Sequence, residues 1–152
     1  MNLKGECMKT KILTMVCMMM LVCGTAFAAG SCVASFVSEA SNINKLTFTC
    51  TGDSADGSFP AVYYANAVKG WIFWVKTIPG ATQPTADYDI TLTDQDAVDV
   101  AGGALADRSA SLNQSAKPTG PGWINGLLTI NITNNSVNSA GITVVIYIYK
   151  EP

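Results

Sequence analysis

Apolar and polar residues alternate along most of the second half of the chain. "GLLTINITN" sets Leu128, Ile130 and Ile132 against Thr129, Asn131 and Thr133, and "ITVVIYIYK" is dense in β-branched and aromatic residues. A period of two marks a strand with one buried face. The turn-rich "NSVNSAG" between these segments predicts that they form a hairpin. Upstream, "ATQPTADYDITLTD" predicts a Pro-containing loop and then a strand with Tyr88, Ile90 and Leu92 inward and Asp89, Thr91 and Thr93 outward. "AVYYANAVKGWIFWVKTIPG" predicts a strand around Ala61 to Tyr64, a bend near Asn66 and a strand from Gly70 to Thr77, stopped by Pro79-Gly80. In strict alternation Trp71, Phe73 and Val75 point one way and Ile72, Trp74 and Lys76 the other. A strand apolar on nearly both sides belongs in the centre of a sheet or at an interface.

The same alternation aligns two earlier runs. Cys32, Ala34 and Phe36 share a face of "CVASFV", and Leu46, Phe48 and Cys50 share a face of "KLTFTC". Folded antiparallel with 36 opposite 46 and 34 opposite 48, the runs bring 32 opposite 50, so one register serves both the apolar face and a disulfide. Such a bridge contributes about 3 kcal/mol in the chain-entropy model; two free thiols are the alternative. "SEASNIN" (38–44) and "TGDSADGSFP" (51–60) read as loops. "AGGALADRSASLNQSAKPTGPGW" (101–123) has too few large apolar residues for a packed helix and reads as a long connection, with a helical turn at 104–108 as an option. No run of 12 residues after the leader has a 3.6-residue apolar period. The expected fold is an all-β, antiparallel β-sandwich of seven to eight strands, with a closed barrel as the variant.

Composition divides the chain at residue 28. From Met8 two lysines precede an apolar run and then small residues, the layout of a secretory signal peptide with Ala26-Phe27-Ala28 at the cleavage site. Residues 1–28 are therefore expected to leave and 29–152 to form the domain, starting from Met1 or Met8. A membrane anchor is disfavoured by Thr14, Gly24 and Thr25 within the run, and neither Cys23 nor Cys32 follows a lipobox-like sequence. All six methionines and three of five cysteines, Cys7, Cys17 and Cys23, lie in the leader. Nine basic and eleven acidic residues become six and ten once Lys4, Lys9, Lys11 and Glu6 are removed. An acidic domain cannot neutralise phosphates, which excludes nucleic acid as a partner. The expected location is extracellular or at the cell surface after periplasmic transit, with no membrane contact once the leader is gone, and there Cys32 and Cys50 would pair.

Catalytic chemistry has little to use. The chain has no histidine, which removes the usual general base and the commonest transition-metal ligand. Asp94, Asp96 and Asp99 are weak calcium candidates. An EF-hand loop begun at Asp94 meets Val98 at position five, Asp99 at six and Leu105 at twelve, where an oxygen ligand, a glycine and a glutamate are required. A hairpin turn at Gln95-Asp96-Ala97 fits better. Asp87 with Asp89 is a glycosidase-like acid pair only on paper, since alternation places both on a solvated face. "GDSADG" (52–57) lacks nucleophile-elbow spacing. No enzyme activity, cofactor or metal is expected. Trp71, Trp74, Trp123, Tyr147 and Tyr149, with Tyr63 and Tyr64, are candidates for a subunit interface or for stacking sugars. Trp71 and Trp74 stand three apart, so at most one faces the core.

"LTFTCTGDSADGSF", "TIPGATQPTADYDITLTDQDAVDVAGGALADRS" and "LLTINITNNSVNSAGITVVIYI" together resemble small, mostly uncharacterised β-rich proteins encoded among the structural genes of tailed bacteriophages. The likeness covers about three quarters of 29–152 and is most specific in "YDITLTD" followed by "DVAGGALADR". Those proteins commonly carry Asp-Gly where Asp96-Ala97 stands, and this chain adds a leader and the cysteine pair. The resemblance implies a virion-accessory type of structural role and transfers no catalytic motif. The reading is a secreted structural or interaction module that self-assembles as a homo-oligomer or polymer into a filament, coat or surface layer, with Ile142–Lys150 as the pairing edge and Tyr147 and Tyr149 at the contact. A glycan-binding module using exposed aromatics is the alternative.

Overall fold

A computed structural model describes residues 29–150. The expected leader, with Cys17, Cys23 and Ala26-Phe27-Ala28, lies outside the described residues. Seven antiparallel strands follow in order: β1 (Ser31–Ala40), β2 (Ile43–Thr51), β3 (Val62–Pro79), β4 (Asp89–Thr93), β5 (Gln114–Ala116), β6 (Trp123–Thr133) and β7 (Gly141–Tyr149). They join in the order β1-β2-β7-β3-β6-β4, with β5 also on β3. The result is an open, sandwich-like sheet and not a barrel.

The long β3 makes one sheet behave as two layers. Its first half, Val62 to Trp71, pairs with β6, and its second half, Trp71 to Pro79, pairs with β7. Val75 to Thr77 also pair with β5. Between Tyr64 and Val68 the register slips, at the bend expected near Asn66. The strand is nonetheless continuous where two were expected. Gly70 stands at the hand-over, with φ 144°, and an added Cβ would strike the Tyr149 carbonyl oxygen. Only glycine fits a backbone so turned and so closely approached.

The inner faces of the two layers meet in one core. Phe48 and Leu46 of β2 and Ile146 of β7 pack toward Ile90 of β4 and Leu128 and Ile130 of β6, all at most 1 % exposed. Tyr88, Ile90 and Leu92 are buried, as their alternation requires. Phe36 opposes Leu46, Ala34 opposes Phe48 and Cys32 opposes Cys50, the register read from the sequence, and the two cysteines are joined by a disulfide.

Four expectations are corrected. β6 and β7 do not form a hairpin: β7 lies between β2 and β3, while β6 lies between β3 and β4. The 134–140 connection is longer than a tight turn and crosses between layers, held by Asn135 Nδ2 donating to the Gly57 and Val137 carbonyls. β7 is therefore central, so Ile142–Lys150 offers no free edge. The 38–44 segment is mostly strand, turning only at Ser41 and Asn42. The optional helical turn at 104–108 does not form: Ala104 and Leu105 end a run of turns and Arg108 bridges to Tyr88.

Candidate functional site

The outer face of the layer built from β1, β2, β7 and the second half of β3 carries Trp71, Phe73, Trp74, Tyr147 and Tyr149, whereas Tyr63, also exposed, stands on the first half of β3 beside β6. A bulge decides this. The β3–β7 register slips between Ile72 and Trp74, so Phe73 is an extra residue with no partner of its own on β7. A bulge shifts the parity of everything beyond it: Ile72 and Val75 both point inward, while Trp71 and Phe73 are exposed and Trp74 is half-buried. Strict alternation had put Val75 on the same face as Trp71 and Phe73. The parity change corrects that, and it leaves neither Trp71 nor Trp74 in the core.

The rings meet in pairs. Trp71 lies against Trp123 with centroids 5.1 Å apart and planes tilted 54°. Phe73 lies 6.1 Å from Tyr147. Tyr149 is exposed opposite Trp71 on β7. Sequence reasoning thus named five of these rings but not Phe73. The signal for it was present, since Ile72 and Val75 have opposite parity and both are too apolar to leave in water.

Beside these pairs lies a groove of 620 Å³ lined by Glu39, Ile43, Lys45, Phe73, Trp74, Lys76 and Tyr147. Lys76 Nζ sits 5.3 Å from the Tyr147 ring centre, and Lys117 Nζ sits 5.8 Å from that of Trp74. Lys45 is ion-paired with Glu39. That hydrogen bond, above all, holds the Lys45 ammonium above its ordinary pKa. The groove therefore combines ring faces with ammonium groups on a domain that is acidic as a whole. Such a surface suits apolar contact or an anionic, ring-stacking ligand.

The three aspartates do different work. Asp94 Oδ1 accepts from the Asp96 and Val98 amides, and the Ala97 amide donates to the Asp94 carbonyl, closing the turn expected there. Ala97 takes φ 61° in that turn. Asp99 accepts from the Ala101 and Gly103 amides. Carboxylates spent on backbone amides are turn formers, and among the described residues no three acidic or cysteine side chains gather to hold a metal. Asp89 accepts from the Asp107 amide and the Asn134 side chain, while Asp87 sits at φ 60° outside the strand. They are not a matched pair on one strand face. Ser54 of "GDSADG" lies in a loop turn.

"YDITLTD" and "DVAGGALADR" prove to be one unit, β4 and the segment that covers its outer edge. The Ile90 amide donates to the Leu105 carbonyl, Val100 to Leu92 and Arg108 to Tyr88. Leu105 and Val100 are buried beneath this cover. Gly102, at φ 63°, lets Gly120 pack against the turn where a Cβ would strike its amide nitrogen. Under the cover, Arg108 is buried with Nε and Nη2 each 3.3 Å from Thr77 Oγ1. Burial pushes its pKa down. Burial likewise pushes the Tyr88 phenol up. The Thr77 hydroxyl and the Arg108 charge pull the other way, yet the Tyr88 hydroxyl makes no hydrogen bond of proper geometry.

The molecule thus defines a class: an all-β, disulfide-joined domain whose distinctive surface is rings and lysines. No protein-family model and no curated protein matches the chain. Among solved structures it is similar to a chain described as "Cyanophage Pam1 capsid asymmetric unit", at 20 % identity over 81 % of this chain and 87 % of that one. The TM-score is 0.38, below the level that carries fold or function from one chain to the other.

Proposed function

We propose that the protein is an exported structural module that assembles with copies of itself into a filament, coat or surface layer. One observation carries this reading: the rings of Trp71, Phe73 and Tyr149 lie exposed, with Trp74 and Tyr147 half-buried, on the outer face of one layer, and half-buried Trp123 of β6 adjoins them against Trp71. Contiguous apolar surface is seldom left open on a monomer and marks a contact site. The leader-like 1–28 segment supports export, and the likeness of the β4 unit to virion-accessory proteins supports contact over turnover. Sedimentation and electron microscopy of the exported protein test the reading. Oligomers or ordered polymers are expected at micromolar concentration; a stable monomer at millimolar concentration contradicts it.

The groove favours a second reading, a glycan-binding module. Its walls of Phe73, Trp74 and Tyr147 beside Lys45 and Lys76 would stack a sugar ring and meet an acidic substituent. A saccharide panel that shifts tryptophan fluorescence of the monomer supports this reading, and a flat titration removes it.

A further inference from the structure

The sheet has an outer edge at β4 and another at β1, and they are not equivalent. β4 is covered by the 98–108 segment. Along β1, no strand among the described residues occupies the outer side. Edges left open normally carry lysines, prolines or bulges along their length to discourage pairing. Ser31–Ala40 has no Lys, Arg or Pro, and its one bulge comes only after Ser38. Val33 is 66 % exposed and Val37 48 %.

The hydrogen-bonding phase of this edge follows from two observations. The Gly52 amide donates to the Ala140 carbonyl, continuing the ladder in which Cys50 opposes Ile142. Even-numbered residues of β2 therefore bond toward β7, and odd-numbered ones toward β1. Cys32 and Cys50 are also only 3.9 Å apart at Cα, the narrow pair that exchanges no hydrogen bonds. Both facts leave the N–H and C=O groups of Cys32, Ala34, Phe36 and Ser38 directed to the open side.

We infer that β1 pairs antiparallel with β1 of a second copy about a two-fold axis at Ser35. The straight segment from Cys32 to the bulge after Ser38 is centred on that residue. The axis sets Ala34 and Phe36 of each copy in hydrogen-bonded pairs, a small side chain against a large one. On the outer face it sets Val33 against Val37. An axis at Phe36 instead opposes Val33 to Glu39, and one at Ala34 opposes Val33 to Ser35, so of the three the axis at Ser35 alone sets each outer valine against a valine, with Ser35 against Ser35 between them. Pairing joins the outer faces of two copies into one continuous sheet, and an isologous contact of this kind closes as a dimer. At about 3.4 Å per residue the paired segment is short; the dimer therefore dissociates on dilution unless the aromatic face adds contacts.

The inference rests on the self-assembly reading but fails separately from it. Ser35→Cys places two thiols across the axis, close enough for a disulfide. Mild oxidation of the folded full chain is expected to yield covalent dimer from Ser35→Cys. Val33→Cys and Val37→Cys should each stay uncrosslinked alone and crosslink when mixed. Ala34→Pro removes only an outward-facing amide and should shift sedimentation toward monomer; Val33→Lys, which leaves the backbone alone, should do the same if the proline variant fails to fold. Oligomers that persist in Val33→Lys, with no Ser35→Cys dimer, overturn this interface while leaving self-assembly standing. A wild-type monomer at every concentration overturns both.

Discussion

β4 and β1 are both outermost strands, but their outward backbone groups meet different fates. Those of β4 bond to the 98–108 segment, while those of Cys32, Ala34, Phe36 and Ser38 on β1 find no strand among the described residues. The side chains follow suit: β4 buries Ile90 and Leu92, whereas six consecutive residues of β1, from Ser35 to Ala40, are exposed. An edge whose amides are already paired cannot template another strand, and one whose amides point to water can. The chain devotes some ten residues, a buried arginine among them, to closing one side, while β1 is held on its inner side by β2, by the disulfide at its start and by Phe36 stacked on Tyr64.

Substitutions can erode that contrast in descending order of effect. Leu105→Ala removes the buried anchor of the β4 cover and should cost about 2–5 kcal/mol in denaturant unfolding, with increased aggregation as β4 comes to resemble β1. Replacing Cys32 and Cys50 together by alanine should cost about 3 kcal/mol, and amide exchange along β1 should rise before that along β4. Asp99→Ala frees the Ala101 and Gly103 amides and should cost about 1–2 kcal/mol by thermal melting. Tyr88→Phe removes a buried hydroxyl that lacks a good partner, so stability at pH 7 should change by no more than about 1 kcal/mol. Its effect grows with alkalinity. Because the folded Tyr88 pKa is raised, its contribution is intact below about pH 10 and is lost as pH rises through the folded value. The wild type should therefore weaken above about pH 10 more than Tyr88→Phe does; parallel melting curves from pH 7 to 11 would count against the buried phenol.

The β1–β2 register was legible because the apolar alternation and the two cysteines agreed on a single alignment. The inward set Tyr88, Ile90 and Leu92 was legible for the same reason. Bulges were not, since the extra residue at Phe73 obeys no period and shows only as a clash between Ile72 and Val75. The partners of β6 and β7 were not legible either. β6 and β7 are neighbours in sequence with a turn-rich link, yet they join different layers, because alternation specifies which face is buried and says nothing about which strand lies alongside. The covering role of 98–108 was hidden for a further reason: glycines and small residues read as a loop whether they wander or close an edge.

Amide hydrogen exchange across a dilution series tests the contrast between the edges most directly. The Ile90 amide, bonded to Leu105, should be protected at every concentration. The Ala34 and Phe36 amides should exchange freely in dilute protein and become protected as concentration rises and the particle grows. If those two amides stay unprotected while the protein assembles, or are as protected in dilute monomer as Ile90, then β1 is not the open edge through which copies meet.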